Sequence, residues 1–551
     1  MRLRIGVLVK KDLGRCRVKL NSVMRSGGHF SRAPQATVPR SAFNRTSGHK
    51  TTFNAGYLVP VYLDEVLPGD TFNLRMTAFS RLATPIHPIM DNMTMETFFF
   101  FVPCRLVWSN WQAFCGEREN PDSSTDYLIP SLVDAPDGYV ELSLYDYFGL
   151  PTKVKALKKI NALPLRCYNL IWNEYFRDQN MQKSLSVPKD DGPDALDSNY
   201  VLQRRGKRYD YFTSCLPWPQ KGPSVCLPLG GTAPITSTGQ EVWLGSQIVD
   251  GKYLWYDERS GQEPAVPTQH MYMDSLNENG SHQIRFRDPV PLLADLSKAT
   301  AVCINSLRQA FQIQKMYERD ARGGTRYIEI LQSHFGVISP DARLQRPEYL
   351  GGGSSPVIIT PIAQTSAVAE QPSPLANLAA IGTCVLRGHG FTKSFVEHGY
   401  VIGLVSVRAD LTYQKGVDRL WSRKTRFDFY WPAFAHLGEQ SVLNKEIYAQ
   451  GTDDDDKVFG YQERFAEYRF KHSLITGKFR SNATGTLDSW HLSQDFKNLP
   501  TLSSDFIVEN PPVERVVSVT TDPHFIFDSE FKLKCARPMP AYSVPGFVDH
   551  F

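Results

Sequence analysis

Segments with strand character are scattered from end to end of this chain, and that dispersal restricts the fold more than any other feature. Thr71–Phe79 places Phe72, Leu74, Met76 and Ala78 on one face, a period of two. At the far end of the chain, Phe525–Cys535 repeats the pattern: Phe531, Leu533 and Cys535 share one face, Lys532 and Lys534 the other. Between them, Tyr57–Tyr62, Tyr400–Tyr413, Thr425–Trp431, Tyr468–Phe470, Asp505–Val508 and Val516–Thr520 read as further strands. Met95–Val102 is aromatic on both faces, which predicts a strand buried on both sides. One sheet system must then be assembled from distant pieces. That is the pattern of an antiparallel barrel with long insertions.

Helical spacing appears between the strands. Leu165, Tyr168, Ile171, Trp172, Tyr175 and Phe176 form one apolar stripe. Leu293, Leu296, Thr300, Cys303, Leu307 and Ala310 form another, stopped by Gly323-Gly324. Both stripes predict core packing and no cofactor. Residues 222–291 have little periodicity and much Gly, Pro, Ser, Thr and Gln; residues 339–380 contain Gly351-Gly-Gly-Ser-Ser and several prolines. Both predict surface excursions from a single domain spanning 51–551. The 37 prolines and 38 glycines suit short strands with long connections.

The charge is unevenly placed. Residues 1–50 hold twelve Lys and Arg against one acid, Asp12, for a net +11. The remainder holds 49 against 56, for a net −7. A basic arm on a mildly acidic body is a pattern of proteins that touch a polyanion. From 24 to 50 the arm is too poor in apolar residues to order itself without a partner. Residues 1–23 read as an upstream extension, with Met24 as the natural start.

A search for reaction chemistry returns little. Gly388-His-Gly-Phe-Thr-Lys393-Ser394 lacks the glycine that a phosphate loop needs before its lysine, and Gly477-Lys478 is followed by Phe479 instead of a hydroxyl. No His-Glu-x-x-His or Gly-x-Ser-x-Gly occurs. Asp453–Asp456 lacks the spacing of a calcium loop and reads as an exposed acidic turn; His389 and His398 read as packed or exposed side chains rather than ligands. The nine cysteines stand singly, which favours reduced thiols. Apolar runs such as Ile5–Val9 and Phe98–Val102 fall far short of the roughly 20 residues of a spanning helix. The expectation is therefore no enzyme, no metal, no cofactor and no membrane insertion.

Four peptides carry a resemblance to a known family. They are Arg25-Ser-Gly-Gly-His-Phe-Ser, Pro85-Ile-His-Pro-Ile-Met-Asp-Asn92, Tyr168-Asn-Leu-Ile-Trp-Asn-Glu-Tyr-Phe-Arg-Asp-Gln-Asn180, and Arg208-Tyr-Asp-Tyr-Phe-Thr-Ser-Cys-Leu-Pro-Trp-Pro-Gln-Lys-Gly222. Together they resemble the major capsid proteins of gokushoviruses, small single-stranded DNA bacteriophages of the Microviridae. The likeness runs from about Met24 to the C-terminus, with 223–291 departing from the pattern.

The resemblance implies an eight-stranded antiparallel jelly roll with long loop and helical insertions. Copies would close into a T=1 icosahedral shell around circular single-stranded DNA. It also implies an internal scaffolding protein, a small basic DNA-packaging protein and a pilot protein as partners. Assembly would take place in the bacterial cytoplasm, and the protein would end in the virion. A variable insertion at the threefold axes would meet a host surface receptor, and 222–291 is the candidate here.

The residues themselves nominate a genome contact. Arg25, Arg32, Arg40, Arg45 and Lys50 of the arm, with Lys532, Lys534 and Arg537 of the last strand, are expected to face phosphate. Contacts of this kind are electrostatic and blind to sequence. Two rival classes remain weaker. A glycan-binding or glycan-cleaving β-protein would fit the aromatic loops, but a hydrolase needs two facing carboxylates, and none can be nominated. A cellular single-strand-binding protein would fit the arm but not 500 further residues.

Overall fold

The computed structural model describes residues 39–196, 200–223, 225, 235–237, 292–294, 304–324, 326–336, 345–363 and 378–542. Its strands are β1 (Ser41–Asn44), β2 (Ser47–Phe53), β3 (Val59–Val66), β4 (Thr71–Leu82), β5 (Met93–Pro103), β6 (Ile235–Ser237) and β7 (Leu292–Ala294). They continue with β8 (Glu348–Ala363), β9 (Leu378–Ser394), β10 (Gly399–Ala409), β11 (Glu439–Leu443), β12 (Val458–Glu463) and β13 (Phe525–Arg537). Nine of them form one curled antiparallel sheet in the order β1-β13-β4-β9-β8-β5-β10-β3, with β2 also paired to β13. Eight of these nine have seven or more residues, and β1 has four. The architecture is the expected one: mainly β, a jelly-roll barrel with helical insertions.

The pleat explains the core. In β4, Phe72, Leu74, Met76 and Ala78 are buried while Asn73, Arg75, Thr77 and Phe79 are exposed. In β13, Phe527, Phe531 and Leu533 are buried while Lys532 and Lys534 are exposed. The buried sets meet Phe99, Phe101, Val401 and Val405 from the opposite leaf. On the other face of β5, Phe100 and Val102 pack with Leu165, Tyr168 and Ile171 of the helix Leu163–Ile171. Met95–Val102 thus supplies two cores, as its aromatic content predicts.

The helix is held by buried polar bonds as well as by its apolar face. Arg166 is fully buried and reaches both Asp194 oxygens, at 2.6 and 2.8 Å. Tyr168 donates to the Leu58 carbonyl at 2.9 Å, tying the helix to the barrel beside β3. At Trp172–Phe176 the α-helix widens into a π-turn.

Several expectations are corrected. Glu348–Ala363 and Leu378–Ser394 are long sheet strands, so 339–380 is not one surface loop; residues 364–377 lie outside the described residues. Glycine misleads here because it serves close approach rather than looseness. A Cβ on Gly352 would lie 2.0 Å from the Thr97 carbonyl oxygen, and one on Gly353 2.5 Å from the His389 ring. This glycine run lets β8 pair with β5 through Val357 and then with β9 from Ile358 onward.

The arm also ends earlier than position 50, because β1 and β2 pair with β13 through backbone groups that need no apolar side chains. Thr425–Trp431 and Tyr468–Phe470 form 3-10 turns and coil. Asp505–Val508 is mostly a helical turn, and Val516–Thr520 makes only an isolated bridge from Val517 to Pro85. Each has strand-like composition without a partner ladder. Leu293 lies in β7, so the described helix Ile304–Arg322 begins later than its predicted stripe and ends, as predicted, at Gly323-Gly324. Most of 222–291 lies outside the described residues.

The alternation of β13 has a direct test in stability. Phe531→Ala should cost about 3–5 kcal/mol in urea unfolding of the purified subunit. Lys532→Ala, one residue away on the outer face, should stay within about 0.5 kcal/mol. Equal costs would contradict the assignment of faces.

Candidate nucleic-acid interface

The last strand places its two lysines where the sequence suggests, on the outward face of the barrel. Lys534 stands in register with Asn73 of β4 and Asn44 of β1. Lys532 stands opposite Arg75 of β4, and both side chains are exposed. Like charges directly opposite one another on a sheet repel. Glu530, two residues along the same strand, approaches Lys532 at 3.2 Å and offsets part of that repulsion.

A third strand adds to the cluster. Arg387 of β9 is exposed and pairs in register with Thr77, after a bulge at Met76–Thr77. Gly388 makes that bulge possible, with φ +75°, a conformation that side chains resist. Lys532, Lys534, Arg75 and Arg387 therefore share one face, against Asp528 and Glu530. Among the described residues, neither Arg75, Arg387 nor Lys534 has an ion-pair partner.

Arg75 and Arg387 are absent from the sequence-derived set. Arg75 occupies a polar position of the Thr71–Phe79 alternation, so its outward direction was readable. Its adjacency to Lys532 was not, because nothing local pairs β4 with β13.

The remaining nominated residues divide. Arg25 and Arg32 lie outside the described residues. Arg40 is exposed and donates to the Thr71 hydroxyl; Lys50 is exposed on β2 opposite Asp528. Arg45 is committed to the fold, gripping both Asp64 oxygens at 2.7 and 2.9 Å. That bond joins the β1–β2 turn to β3 across the barrel.

Arg537 is committed still more firmly to the fold. Its Nε donates to Asp70 at 3.1 Å and its Nη2 to the Glu65 carbonyl at 2.6 Å. Asp70 is fully buried. Arg537 closes β13 onto the β3–β4 turn.

A second cationic surface escaped the sequence altogether. Around 419–431 and 464–471, arginines lie over aromatic rings: Arg423 is 4.3 Å from the Tyr468 centroid and 5.1 Å from Phe429, and Arg426 is 4.8 Å from Phe427. Trp421 is 78% exposed and Trp431 51%, high values for the largest apolar rings. Their turns are fixed locally, as where Asp428 accepts from the amides of Lys424 and Thr425.

The loops that superficially resembled reaction motifs have structural uses. The Gly388–Ser394 stretch is strand, and Lys393 pairs with Glu348. His389 is buried between Thr97, at 2.8 Å, and Ser355, at 3.2 Å. His398 packs edge-on against Trp111. Asp455 accepts amides from Gln450 and Gly451, and Asp454 and Asp456 pair with Lys457 and Lys445, so the acidic run serves its own turn.

Among the described residues, no helix is long and apolar enough to cross a membrane. Comparison with known proteins gives a consistent result. The family model described as capsid protein (F protein) matches residues 31–547. The chain is 48% identical over 534 residues to the capsid protein VP1 of Bdellovibrio phage phiMH2K, covering 95% of this chain and 98% of that one. It is 47% identical over 591 residues to the capsid protein VP1 of Chlamydia phage 1, covering 96% and 98%. It is 37% identical over 534 residues to the capsid protein VP1 of Spiroplasma virus 4, covering 92% and 95%.

The two kinds of basic residue should separate by measurement. Arg537→Gln leaves Asp70 buried without its cation and should cost about 3–5 kcal/mol of stability. Lys532→Gln with Lys534→Gln should change stability by no more than about 0.5 kcal/mol each. Thermal unfolding of the two variants decides the matter: similar losses would mean the lysines are structural too.

Proposed function

Because this chain belongs to the capsid protein (F protein) family, we propose that it is the major coat subunit of a gokushovirus particle, closing into a T=1 icosahedral shell around circular single-stranded DNA. The family is structural, not enzymatic, and its place is the virion. Self-association follows from that role. The observation that best supports a shell is the Arg- and Trp-rich surface at 419–471, whose exposed rings match the composition of interface cores. Contacts repeated under symmetry let modest interfaces sum to a stable particle.

In this proposal the outward face of β13, β4 and β9 lines the inside of the shell. Lys532, Lys534, Arg75 and Arg387 meet phosphate there, with Arg40, Lys50 and the arm residues Arg25 and Arg32 adding to the same field. Arg45 and Arg537 hold the strands that present them. The lack of ion-pair partners for three of the four sheet cations supports this placement, since a polyanion would relieve their mutual repulsion. Sequence-blind binding suits a shell that must accept every segment of its genome.

The wider partners belong to the proposal as well. An internal scaffolding protein, a small basic DNA-packaging protein and a pilot protein complete assembly in the bacterial cytoplasm, and 222–291 forms a surface insertion that meets a host receptor.

Co-expression with the scaffold should give closed particles of uniform size by negative-stain microscopy; a chain that stays monomeric would overturn the shell. Changing Lys532, Lys534 and Arg75 together to Gln should leave particles intact and flatten the salt dependence of DNA retention. The log–log slope should fall by about 0.7 per phosphate contact removed. An unchanged slope would remove this face from the genome contact. Replacing 222–291 by a short Gly/Ser linker should leave particles forming and reduce host attachment, whereas loss of folding would place the segment in the core.

A further inference from the structure

A cleft of about 440 Å³ lies outside the barrel, between the β5–β8 surface and the segment 205–209. Its floor is aromatic: Phe100 packs against Tyr175 at 4.8 Å and Tyr349 at 5.5 Å, and Phe98 against Phe176 at 5.3 Å. Tyr175 and Phe176 come from the π-turn that ends the helix Leu163–Ile171. Such widened turns concentrate at functional sites because they redirect side chains that a regular helix would stack. Tyr209 stands at the rim, 77% exposed.

The walls carry an excess of cations. Arg177, Arg205, Lys207, Arg326 and Arg408 line the cleft, with Asp178 as the acid among the lining residues. Arg205 and Arg408 share a single carboxylate, Glu96. Arg326 is matched by Glu329 and Glu174, at 3.0 and 3.6 Å. Arg177 is bonded through one nitrogen to the Gln182 carbonyl and has no ion-pair partner among the described residues. The Nε atoms of Arg177 and Arg408 are buried without a hydrogen-bond acceptor. A buried donor left without an acceptor is costly. Burial and mutual repulsion push Arg205 down to about 9, and burial alone pushes Lys207 down to about 8. Burial also raises the Glu509 carboxyl, which weakens a second counter-charge to these cations.

We propose that this cleft binds a nucleotide unit, its phosphate held by Arg177 and its cationic neighbours and its base laid against the Tyr209 and Tyr349 rings. Rings without a charge partner would suit any apolar group, and cations alone would suit any anion. Their combination in one concave site selects a ligand that has a planar ring and a phosphate together. The site is separate from the β13–β4–β9 face and does not depend on which way that face points. The same chemistry can come from a free nucleotide or from one unit of an enclosed strand.

Equilibrium dialysis on intact particles of the full chain distinguishes these. Labelled dTMP should bind saturably, and deoxythymidine, which lacks the phosphate, should bind at least about tenfold more weakly, as expected for loss of charge-assisted bonds. Arg177→Gln should weaken dTMP by a similar factor. Tyr209→Ala alters an exposed ring and should leave particles intact by microscopy, weakening dTMP while sparing inorganic phosphate. Uptake by empty particles alone would assign the site to the genome's own nucleotides, and equal uptake by empty and filled particles would assign it to a free nucleotide. Intact particles that take up no dTMP, or that bind it unchanged after Tyr209→Ala, would overturn the site while leaving the shell untouched. Absence of particles would instead strike the capsid assignment.

Discussion

The whole barrel depends on one ladder, in which Phe525–Ala536 pairs residue for residue with Leu82–Thr71 while β1 and β2 pair along its other edge. The final strand is thus inserted between strands made at the beginning. Everything between them must leave the frame and return to it. This explains why the insertions are long yet the barrel stays one sheet: each excursion is anchored at both ends by strands already fixed in register. Pairing over such separations carries a large loop-closure cost, so folding of the sheet should wait for the end of the chain.

Ion pairs reinforce that closure at the places where backbone bonding stops. Arg537 on Asp70 and Arg45 on Asp64 fasten the ends of β13 and β1 to the β3 side of the barrel. Tyr62 and Phe531 meet across the same gap, with ring centroids 4.9 Å apart. Arg45 and Arg537, nominated for phosphate, thereby also serve the structure, and Lys532, Lys534, Arg75 and Arg387 are sorted onto one face by the pleat. Charge on β13, β4 and β9 is arranged by the fold, not by local sequence: Lys532 and Arg75 are neighbours only because their strands pair.

Much of this was legible in the residues. The period-two runs at 71–79 and 525–535 gave both the strands and their buried faces, and the aromatic run at 95–102 gave a strand buried on two sides. The stripe from Leu165 to Phe176 gave a packed helix, though not its π-turn, which depends on how the helix ends against the cleft. Composition misled where backbone contacts decide. Gly351-Gly-Gly looked like a loop and is a close crossing of strands. Ser47–Lys50 looked like arm and is edge strand. Thr425–Trp431 looked like strand and is a capped turn, because Asp428 satisfies its amides locally. The face proposed to meet DNA was half legible for the same reason, since Lys532 and Lys534 share a strand while Arg75 and Arg387 join them only through long-range register.

In the proposed shell this assembled basic face looks inward at the genome. A cryo-electron microscopy map of DNA-filled particles measures that orientation directly. Lys532, Lys534, Arg75 and Arg387 should line the inner surface, with density beyond the protein within hydrogen-bond reach of their charged groups. A map that puts the same four side chains on the outside of the shell, or buried against carboxylates of a neighbouring subunit, would contradict it.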